Sequence, residues 1–289
     1  MADFVERRWT SKDGLSLFAR DYAGAAGAAR LPVICLHGLT RNSKDFAALA
    51  PLVAATGRRV IVPDVRGRGL SDRDPNGSNY VPNTYARDML LLLDRLGIAR
   101  ALFIGTSMGG IISLAISGMR RRAVAGLVLN DVGPEVCNVG IERIKSYVGK
   151  KVDIGSWDDA ADYLRSINGL AFPDYKADDW AAFARRTFAE GESGPRLDYD
   201  PAIMQPLSEN RYKAMTFVAW YLFKRLARTA PVLLVRGELS DLLSKEIADR
   251  MEARAPSMRR VEIPRVGHAP MLDEPQAVEA ISEFLGSAP

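Results

Sequence analysis

The sequence predicts an α/β fold in which helices flank a mostly parallel, twisted β-sheet. A helical cap is inserted in the chain after one strand of this sheet. Short apolar runs recur from Leu31 onward, and amphipathic stretches follow most of them. Strands that are apolar on both faces are typical of a parallel sheet covered by helices on both sides. Between Leu129 and Pro231 the strand pattern vanishes and helical periodicity replaces it. That change predicts the inserted cap.

Length and composition set the scale of this fold. The chain has 289 residues, of which 47% are hydrophobic and 26% are charged. These proportions are those of an ordinary globular protein rather than of a disordered or fibrous one. The length suits one α/β core that carries an insertion. We therefore expect a ligand to bind in a pocket.

The strands begin with a hairpin. Phe4–Thr10 and Leu15–Tyr22 are strand-like, and Ser11–Gly14 between them is a favourable turn. The strands expected in the parallel part of the sheet are Val33–Leu36, Val60–Val62, Ala101–Ile104, Gly126–Leu129, Val232–Val235 and Arg260–Ile263. Their continuous apolar character predicts that both faces of each strand are buried.

Helical patterns occupy the stretches that follow the strands. The helices expected in the core are Lys44–Ala55, Thr84–Leu96, Met108–Met119, Ser244–Ala253 and Pro275–Leu285. The helices expected in the cap lie around Trp157–Ile167, Trp180–Phe188 and Arg211–Leu226. We therefore divide the chain into a first core segment, 1–134, a cap, 135–229, and a second core segment, 230–289.

Charge and apolar content exclude several classes of partner. The net charge of +4 is a small excess of 39 basic over 35 acidic residues, so no nucleic-acid partner is expected. No run of about eighteen apolar residues predicts a membrane span, and the first residues lack the apolar core of a signal peptide, so we expect a cytoplasmic protein. Cys35 and Cys137 have no neighbouring cysteine or zinc-ligand spacing, so neither a disulfide nor a metal site is expected.

The candidate nucleophile is Ser107, in the glycine-rich run Gly105–Gly110. This run follows the apolar strand Ala101–Ile104 and opens the helix that begins at Met108, so Ser107 lies at the apex of a strand-to-helix turn. In so tight a turn, a Cβ two residues before or after the apex would clash, and glycine relieves that clash. The strained apex lifts the hydroxyl clear of the sheet, toward the free N–H groups of the helix. The alternative is a glycine-rich helix start in which Ser107 is only an N-cap.

The candidate general base is His268. A serine hydroxyl needs a base within hydrogen-bond reach, and the chain has two histidines. His37 directly follows a strand, and the order His37, Asp64, Ser107 is that of chymotrypsin-like proteases, whose scaffold is all-β. In an α/β sheet, the order Ser107, Asp241, His268 places all three groups on loops at one edge of the sheet.

The carboxylate that orients the base is assigned to Asp241. It lies just beyond the strand Val232–Val235, where a carboxylate can hold the imidazole in the required tautomer and stabilise the imidazolium. Glu238 in the same loop and Asp131 after the preceding strand are competitors that the sequence leaves open. Asp241 also suits a simpler role, as a helix-capping acid before Ser244.

Together these motifs resemble the α/β-hydrolase fold family, in particular its capped esterase-like members. The likeness covers nearly the whole chain. Besides the serine turn, His37–Leu39 resembles the family's oxyanion loop, Asp64–Ser71 resembles the segment after the following strand, and Val266–His268 resembles the terminal histidine loop. The resemblance implies a serine hydrolase that needs no cofactor and no metal.

The resemblance also implies roles for residues around the nucleophile. The backbone N–H groups of Leu39 and Met108 would form the oxyanion hole, where one fixed donor stabilises the tetrahedral intermediate by about 3 kcal/mol. His37 would brace the oxyanion loop through its ring nitrogens. Asp64 and Arg66 would hold the neighbouring loop in place.

The expected reaction is hydrolysis of a small-molecule carboxylic ester through an acyl-enzyme on Ser107. No Walker-type string, no paired-histidine zinc motif and no G-x-G-x-x-G after a strand is present in the sequence. Members of the family use the same triad to cleave carbon–carbon bonds or for cofactor-free perhydrolysis, and the sequence separates these reactions poorly. A small-molecule receptor with little turnover is the alternative from another class. The oligomeric state is left open.

Overall fold

The computed structural model describes residues 4–24, 30–206 and 209–288, and one large β-sheet forms its centre. Eight strands belong to this sheet, and two more form a small sheet of their own. The strands are β1 (Val5–Thr10), β2 (Ser16–Tyr22), β3 (Val33–Leu36), β4 (Val60–Asp64), β5 (Ala101–Thr106), β6 (Val124–Asn130), β7 (Phe188–Ala189), β8 (Arg196–Leu197), β9 (Val232–Gly237) and β10 (Arg259–Ile263).

The large sheet is mostly parallel, as predicted. Its strand order is β1-β2-β4-β3-β5-β6-β9-β10. The neighbours from β4 to β10 pair in parallel, whereas β2 pairs antiparallel with β4 and forms the predicted hairpin with β1. Because the parallel strands all run one way, the loops that follow β3, β5, β6, β9 and β10 meet at one edge of the sheet.

Helices cover both faces of this sheet. The α-helices of the described ranges are α1 (Leu49–Ala55), α2 (Pro82–Arg95), α3 (Met108–Met119), α4 (Asn138–Tyr147), α5 (Trp157–Asn168), α6 (Ala177–Thr187), α7 (Glu209–Ala227), α8 (Lys245–Arg254) and α9 (Pro275–Ser287). Ile34 and Leu36 of β3 pack in a hydrophobic cluster with residues of α2, α3, α7 and α8, whereas Val33 and Cys35 pack with residues of α1 and α9. Since successive side chains of a strand point to opposite faces, both faces are buried, as the apolar runs predicted.

The segment between β6 and β9 is mainly helical and contains α4, α5, α6, the antiparallel pair β7–β8 and α7. The helices α5 and α6 pack on each other around a separate hydrophobic cluster, whose aromatic members include Phe172, Trp180, Phe183 and Phe188. By contrast, α7 packs against α3: Phe223 and Leu226 join the core cluster, and Arg225 Nη2 donates to Ser117 O at 2.6 Å. The last helix of the segment is therefore anchored on the sheet side.

Three local features differ from the sequence-based expectation. The helix expected at Lys44–Ala55 is a 3₁₀ turn, Ser43–Phe46, followed by α1, because the side-chain oxygen of Asn42 accepts from the Lys44 N–H at 2.9 Å and starts a turn there. The helix α4 was not predicted, although Ile141, Ile144 and Tyr147 recur on one face of it; Gly140 is its only buried residue. The strands β7 and β8 have two residues each, too few for an alternating pattern.

Candidate active site

Ser107 lies at the apex of the turn between β5 and α3, as the sequence predicted. Its φ is positive, at 50°, which strains a residue with a side chain. A Cβ at Gly105 would overlap the backbone of Gly109, and a Cβ at Gly109 would overlap the carbonyl group of Leu36 in β3. The two glycines therefore let the turn close and let α3 approach the sheet. The Ser107 N–H donates to Asn130 O at 2.9 Å, which ties the apex to β6.

The imidazole of His268 reaches Ser107 from the loop between β10 and α9. Its Nε2 lies 3.0 Å from Ser107 Oγ, and its side chain is 9% exposed. Asn130 holds this loop in place, because its side-chain amide donates to Pro270 O at 2.8 Å and to Thr106 Oγ1 at 3.0 Å. The structure thus brings together the predicted nucleophile and the predicted base.

The carboxylate that contacts His268 is Asp131, which corrects the sequence-based assignment to Asp241. Asp131 directly follows β6, is fully buried and has a φ of 53°, a conformation that aspartate tolerates better than most residues. Its Oδ2 lies 2.7 Å from His268 Nδ1 and accepts from the Ser240 hydroxyl at 2.6 Å. Its Oδ1 accepts from the Gly237 N–H at 2.9 Å. With Nδ1–H donating to this carboxylate, Nε2 is left as the acceptor that faces Ser107.

Asp241 pairs instead with Arg143 of α4. The Nε and Nη2 groups of Arg143 donate to its two carboxylate oxygens at 2.5 and 2.9 Å. Burial alone would raise the pKa of Asp241, but Arg143 outweighs this effect and holds that pKa below its ordinary value. Because both oxygens bind the guanidinium, neither orients His268. Glu238, the other competitor, accepts from the backbone N–H of Arg265 at 2.7 Å at the surface.

His37 braces the loop that follows β3, as the resemblance implies. The Val65 N–H donates to its Nε2 at 3.0 Å, so Nδ1 carries the proton and donates to Gly38 O at 2.8 Å. The ring is fully buried, and burial lowers the pKa of His37 to about 3. Both nitrogens are therefore occupied in the neutral form, and His37 is not available as a base for Ser107.

Asp64 and Arg66 hold the loop that follows β4. The backbone N–H groups of Ser43 and Leu70 donate to Asp64 at 2.6 and 2.9 Å. The Arg66 side chain is 1% exposed and lies 2.5 to 2.7 Å from three carboxylates, those of Asp13, Asp74 and Asp88. A buried cation with three acidic partners is fully used in fixing the loop, so we assign it no contact with substrate.

Leu39 and Met108, the residues expected to supply the oxyanion hole, both lie close to Ser107. Met108 is the first residue of α3, so its N–H has no acceptor within the helix. Leu39 lines a cavity together with Ser107, and its carbonyl accepts from Arg68 Nε at 2.9 Å, which fixes the loop. The positive end of the α3 dipole faces the same region.

A cavity of about 80 Å³ opens on Ser107 and His268. The core side of its wall consists of Gly38, Leu39, Thr40, Arg41, Thr106, Ser107, His268 and Ala269. The segment between β6 and β9 supplies Ile144, Tyr147, Val148, Tyr163, Leu164, Ile167, Asn168, Phe172, Phe183, Thr187, Leu197 and Tyr199. Burial raises the pKa of all three tyrosines, so their hydroxyls keep their protons near neutral pH. The wall is therefore mainly apolar, with hydroxyl groups at a few points.

Sequence reasoning missed several residues of this site and left Asp131 as a competitor. Asn130 and Asp131 had a usable signal, because they are the first polar residues after an apolar run whose end meets the serine turn. Ser240 had none, since a serine in a loop is unremarkable until its partner is known. The tyrosines of the wall lie in helices and loops whose spacing is explained by packing alone.

Neither a metal site nor a membrane-spanning helix is found in the parts of the chain that the structure describes. Within residues 4–24, 30–206 and 209–288, no three histidine, cysteine, aspartate or glutamate side chains are grouped to hold a metal ion. Across the same described ranges, no helix combines the length and the apolar character needed to cross a membrane. Cys35 and Cys137 are free thiols.

Comparison with known proteins shows the family of this chain. Residues 33–281 match the alpha/beta hydrolase family. The 3-hydroxybutyrate-oligomer hydrolase of Cupriavidus necator is 34% identical over 89% of this chain and 88% of its own length. Esterase YbfF of Escherichia coli is 25% identical over 88% of this chain and 92% of its own. The crystal structure of an alpha/beta hydrolase from Novosphingobium aromaticivorans has a TM-score of 0.90 at 41% identity and covers 99% of both chains. The chain is therefore a hydrolase and belongs to the alpha/beta hydrolase family.

Proposed function

We propose that this hydrolase cleaves carboxylic esters through an acyl-enzyme, with Ser107 as nucleophile, His268 as general base and Asp131 as the carboxylate that orients the base. One observation carries the proposal: Ser107 Oγ lies 3.0 Å from His268 Nε2, and His268 Nδ1 lies 2.7 Å from Asp131 Oδ2. This continuous chain of contacts opens on the cavity. It has the arrangement that serine catalysis requires.

The first half of the reaction forms the acyl-enzyme. Ser107 Oγ attacks the ester carbonyl carbon while His268 Nε2 takes the hydroxyl proton. Asp131 stabilises the imidazolium that results, without itself taking a proton. The tetrahedral intermediate then expels the alkoxide, which takes the proton from Nε2 and leaves as an alcohol. Water repeats the route on the acyl-enzyme, so the acid is released and Ser107 regains its proton.

The oxyanion hole of this proposal is formed by the backbone N–H groups of Leu39 and Met108. The loop that contains Leu39 is fixed by the two hydrogen bonds of the His37 ring and by the bond from Arg68 Nε to the Leu39 carbonyl. Fixed donors stabilise a developing oxyanion without reorganising, and each is worth about 3 kcal/mol. The strained backbone at Ser107 is typical of an active site, where the surrounding structure holds such a conformation in place.

We also propose that residues 135–229 act as a cap over a core made of 1–134 and 230–289. The support is the cavity, whose wall beyond Ser107 comes largely from α4, α5 and α6. The helix α7 then serves as the anchor of the cap, since it packs against α3.

The substrate that these observations favour is a small ester. The name of the Cupriavidus necator relative, a hydrolase of 3-hydroxybutyrate oligomers, supports esters of short hydroxy acids as one class to test, and the name of the Escherichia coli esterase supports an ester bond. The hydroxyl groups at Tyr147, Tyr163 and Tyr199 suit a substrate with several oxygen atoms.

The test uses 4-nitrophenyl esters from acetate to hexanoate on wild type, Ser107→Ala and His268→Ala. We expect steady turnover by wild type and a loss of about a thousandfold or more in kcat/KM in each variant, with circular dichroism unchanged. Ser282→Ala is the matched control, because Ser282 is an exposed serine of α9, and it should leave kcat/KM unchanged. Tight binding of the esters without turnover would contradict the proposal and favour a receptor.

A further inference from the structure

Arg41 is a cavity residue whose presence the ester-hydrolysis mechanism does not explain. It belongs to the loop after β3 and lines the same cavity as Ser107 and His268. Among the described residues of that cavity wall it is the only permanently charged side chain, and the wall contains no aspartate or glutamate. Arg41 therefore brings a positive charge to the wall, and its acidic partner, Asp45, lies outside that wall.

The hydrogen-bonding groups of Arg41 are incompletely used. Its side chain is 12% exposed, and its Nε lies 3.2 Å from Asp45 Oδ2. Its Nη2 donates to Met271 Sδ at 2.9 Å, and a thioether is a weak acceptor. Its Nη1 is buried and has no hydrogen-bond partner in the described part of the chain. A buried charged donor without an acceptor is costly, which indicates an acceptor that the protein itself does not supply.

The acidic partner that the described residues offer this guanidinium is Asp45. Asp45 is buried, and burial raises its pKa even though Arg41 acts in the opposite direction. One of its oxygens also lacks a hydrogen-bond partner within the ranges described. Asp45 is therefore a weak counter-ion, and Arg41 retains the capacity to bind a second carboxylate.

Arg41 is held rigidly at the cavity wall. Its guanidinium carbon lies 4.3 Å from the centre of the Phe183 ring in α6, a stacking contact that fixes the planar group. A Cβ at position 38 would come within 3.5 Å of Arg41 Cγ and 4.0 Å of Ser107 Cβ. Gly38 therefore borders both the aliphatic stem of Arg41 and Ser107, and all three residues line the cavity.

We propose that Arg41 binds a carboxylate of the substrate, so that this enzyme prefers esters that carry a free carboxylate a short spacer away from the scissile bond. The planar guanidinium suits a carboxylate better than an ammonium would, because it can offer two parallel N–H groups. The apolar surroundings at Phe183 and Met271 strengthen such a contact. The proposal rests on the proposed ester hydrolysis and specifies its substrate class.

The first experiment compares charged and neutral esters of the same shape. 4-Nitrophenyl glutarate and 4-nitrophenyl glutaramate place a carboxylate or an amide on the acyl side, and 4-acetoxybutanoate and 4-acetoxybutanamide place them on the alcohol side. In at least one pair, we expect wild-type kcat/KM to favour the carboxylate by about 10- to 100-fold. Arg41→Gln should bring this ratio close to one, and Arg41→Lys, which keeps the charge but loses the planar fork, should give an intermediate ratio.

Arg186→Gln is the matched control for the loss of charge. Arg186 also acts on Asp45 electrostatically, but it binds Asp273 at 3.1 Å and does not line the cavity. The carboxylate-to-amide ratio should stay at the wild-type value in this variant. An equal fall in the Arg41→Gln and Arg186→Gln variants would overturn the proposal, because a general potential rather than a contact would then select the substrate. So would a wild-type enzyme without preference in either pair.

A binding measurement separates failure of this proposal from failure of the proposed function. Calorimetry on Ser107→Ala compares monomethyl glutarate with methyl glutaramate, so that no turnover is needed. Tighter binding of the acid, lost when Arg41→Gln is added, supports the carboxylate site even if no ester is hydrolysed. Ser107-dependent hydrolysis of neutral esters, with equal binding of acid and amide, refutes the role of Arg41 and leaves the proposed function intact.

Discussion

Two aspartates in neighbouring loops at the carboxyl edge of the sheet have opposite environments. Asp131, after β6, is fully buried and accepts hydrogen bonds from a backbone N–H, a hydroxyl and His268. Asp241, after β9, keeps 28% of its side chain exposed and binds Arg143 through both oxygens. The donors around the first carboxylate orient it without cancelling its charge, whereas the guanidinium cancels the charge of the second.

A place at this edge therefore does not by itself determine which carboxylate orients the base. A buried carboxylate stabilises an imidazolium because the surrounding dielectric is low and its charge is not otherwise neutralised. Pairing with arginine removes that property. We therefore expect loss of Asp131 to affect catalysis and loss of Asp241 to affect the attachment of α4.

The largest expected effect comes from replacing the two aspartates in parallel. Asp131→Asn should lower kcat/KM for a 4-nitrophenyl ester by about 10³- to 10⁴-fold, since the amide favours the wrong tautomer of His268. Asp241→Asn should lower it by less than about tenfold. Steady-state kinetics on both variants, with circular dichroism to verify folding, measures the contrast. A larger loss in Asp241→Asn would show that the original assignment from the sequence describes the working enzyme.

The double variant Asp131→Asn/Asp241→Asn tests whether one aspartate can replace the other. If Asp241 moves to replace the missing carboxylate, the double variant should be far less active than Asp131→Asn alone. With Asp241 held by Arg143, we expect the double variant to lose no more than the product of the single losses.

The parts of the site that the sequence predicted are those fixed by neighbours along the chain. Ser107 was identified because a strand, two glycines and a helix lie within a few residues of it. His268 was identified because a loop between the last strand and the last helix must open at the carboxyl edge of the sheet. The hairpin and the parallel strands were legible for the same reason, since short apolar runs and turn residues are local signals.

The acid and the cavity wall could not be predicted in this way. Asp131 and Asp241 follow adjacent strands, and their roles depend on Arg143, which reaches Asp241 from the unpredicted helix α4. The positive φ of Asp131 turns its side chain toward His268, and no sequence pattern predicts that conformation for an aspartate. Long-range contacts of this kind are set by how the segment between β6 and β9 packs on the core.

Ser240 offers a smaller effect on the Asp131 side of the comparison. Its hydroxyl donates to the same Oδ2 that faces His268, so Ser240→Ala should loosen the carboxylate. We expect kcat to fall about tenfold with little change in KM, and Ser240→Thr, which restores a hydroxyl, to recover most of the loss. Ser244→Ala is the control, because Ser244 caps α8 and its loss should lower stability by about 1 kcal/mol without this effect on kcat. Equal kcat losses in the Ser240→Ala and Ser244→Ala variants would rule out a specific role for the hydroxyl.

The smallest expected effect concerns the ion pair between Arg143 and Asp241. A double-mutant cycle with Arg143→Gln and Asp241→Asn should give a coupling free energy of unfolding of about 1 kcal/mol, since the pair is bidentate but partly exposed. Thermal unfolding near neutral pH measures it. Because α4 also carries Ile144 and Tyr147 of the cavity wall, KM should rise a few-fold in each single variant while kcat changes less.

The stability that the Arg143–Asp241 pair contributes should depend on pH in a definite direction. Arg143 holds the pKa of Asp241 below the ordinary value of 3.8, so the folded state releases this proton more readily than the unfolded state does. The stabilisation is therefore fully present above pH 3.8 and is lost as the pH falls through the lower, folded-state value. The difference in unfolding free energy between wild type and Asp241→Asn should be constant from pH 7 to pH 5 and shrink in more acidic solution. A difference that grew on acidification would mean that Asp241 is destabilised by its surroundings, and that α4 is held to the core by other contacts.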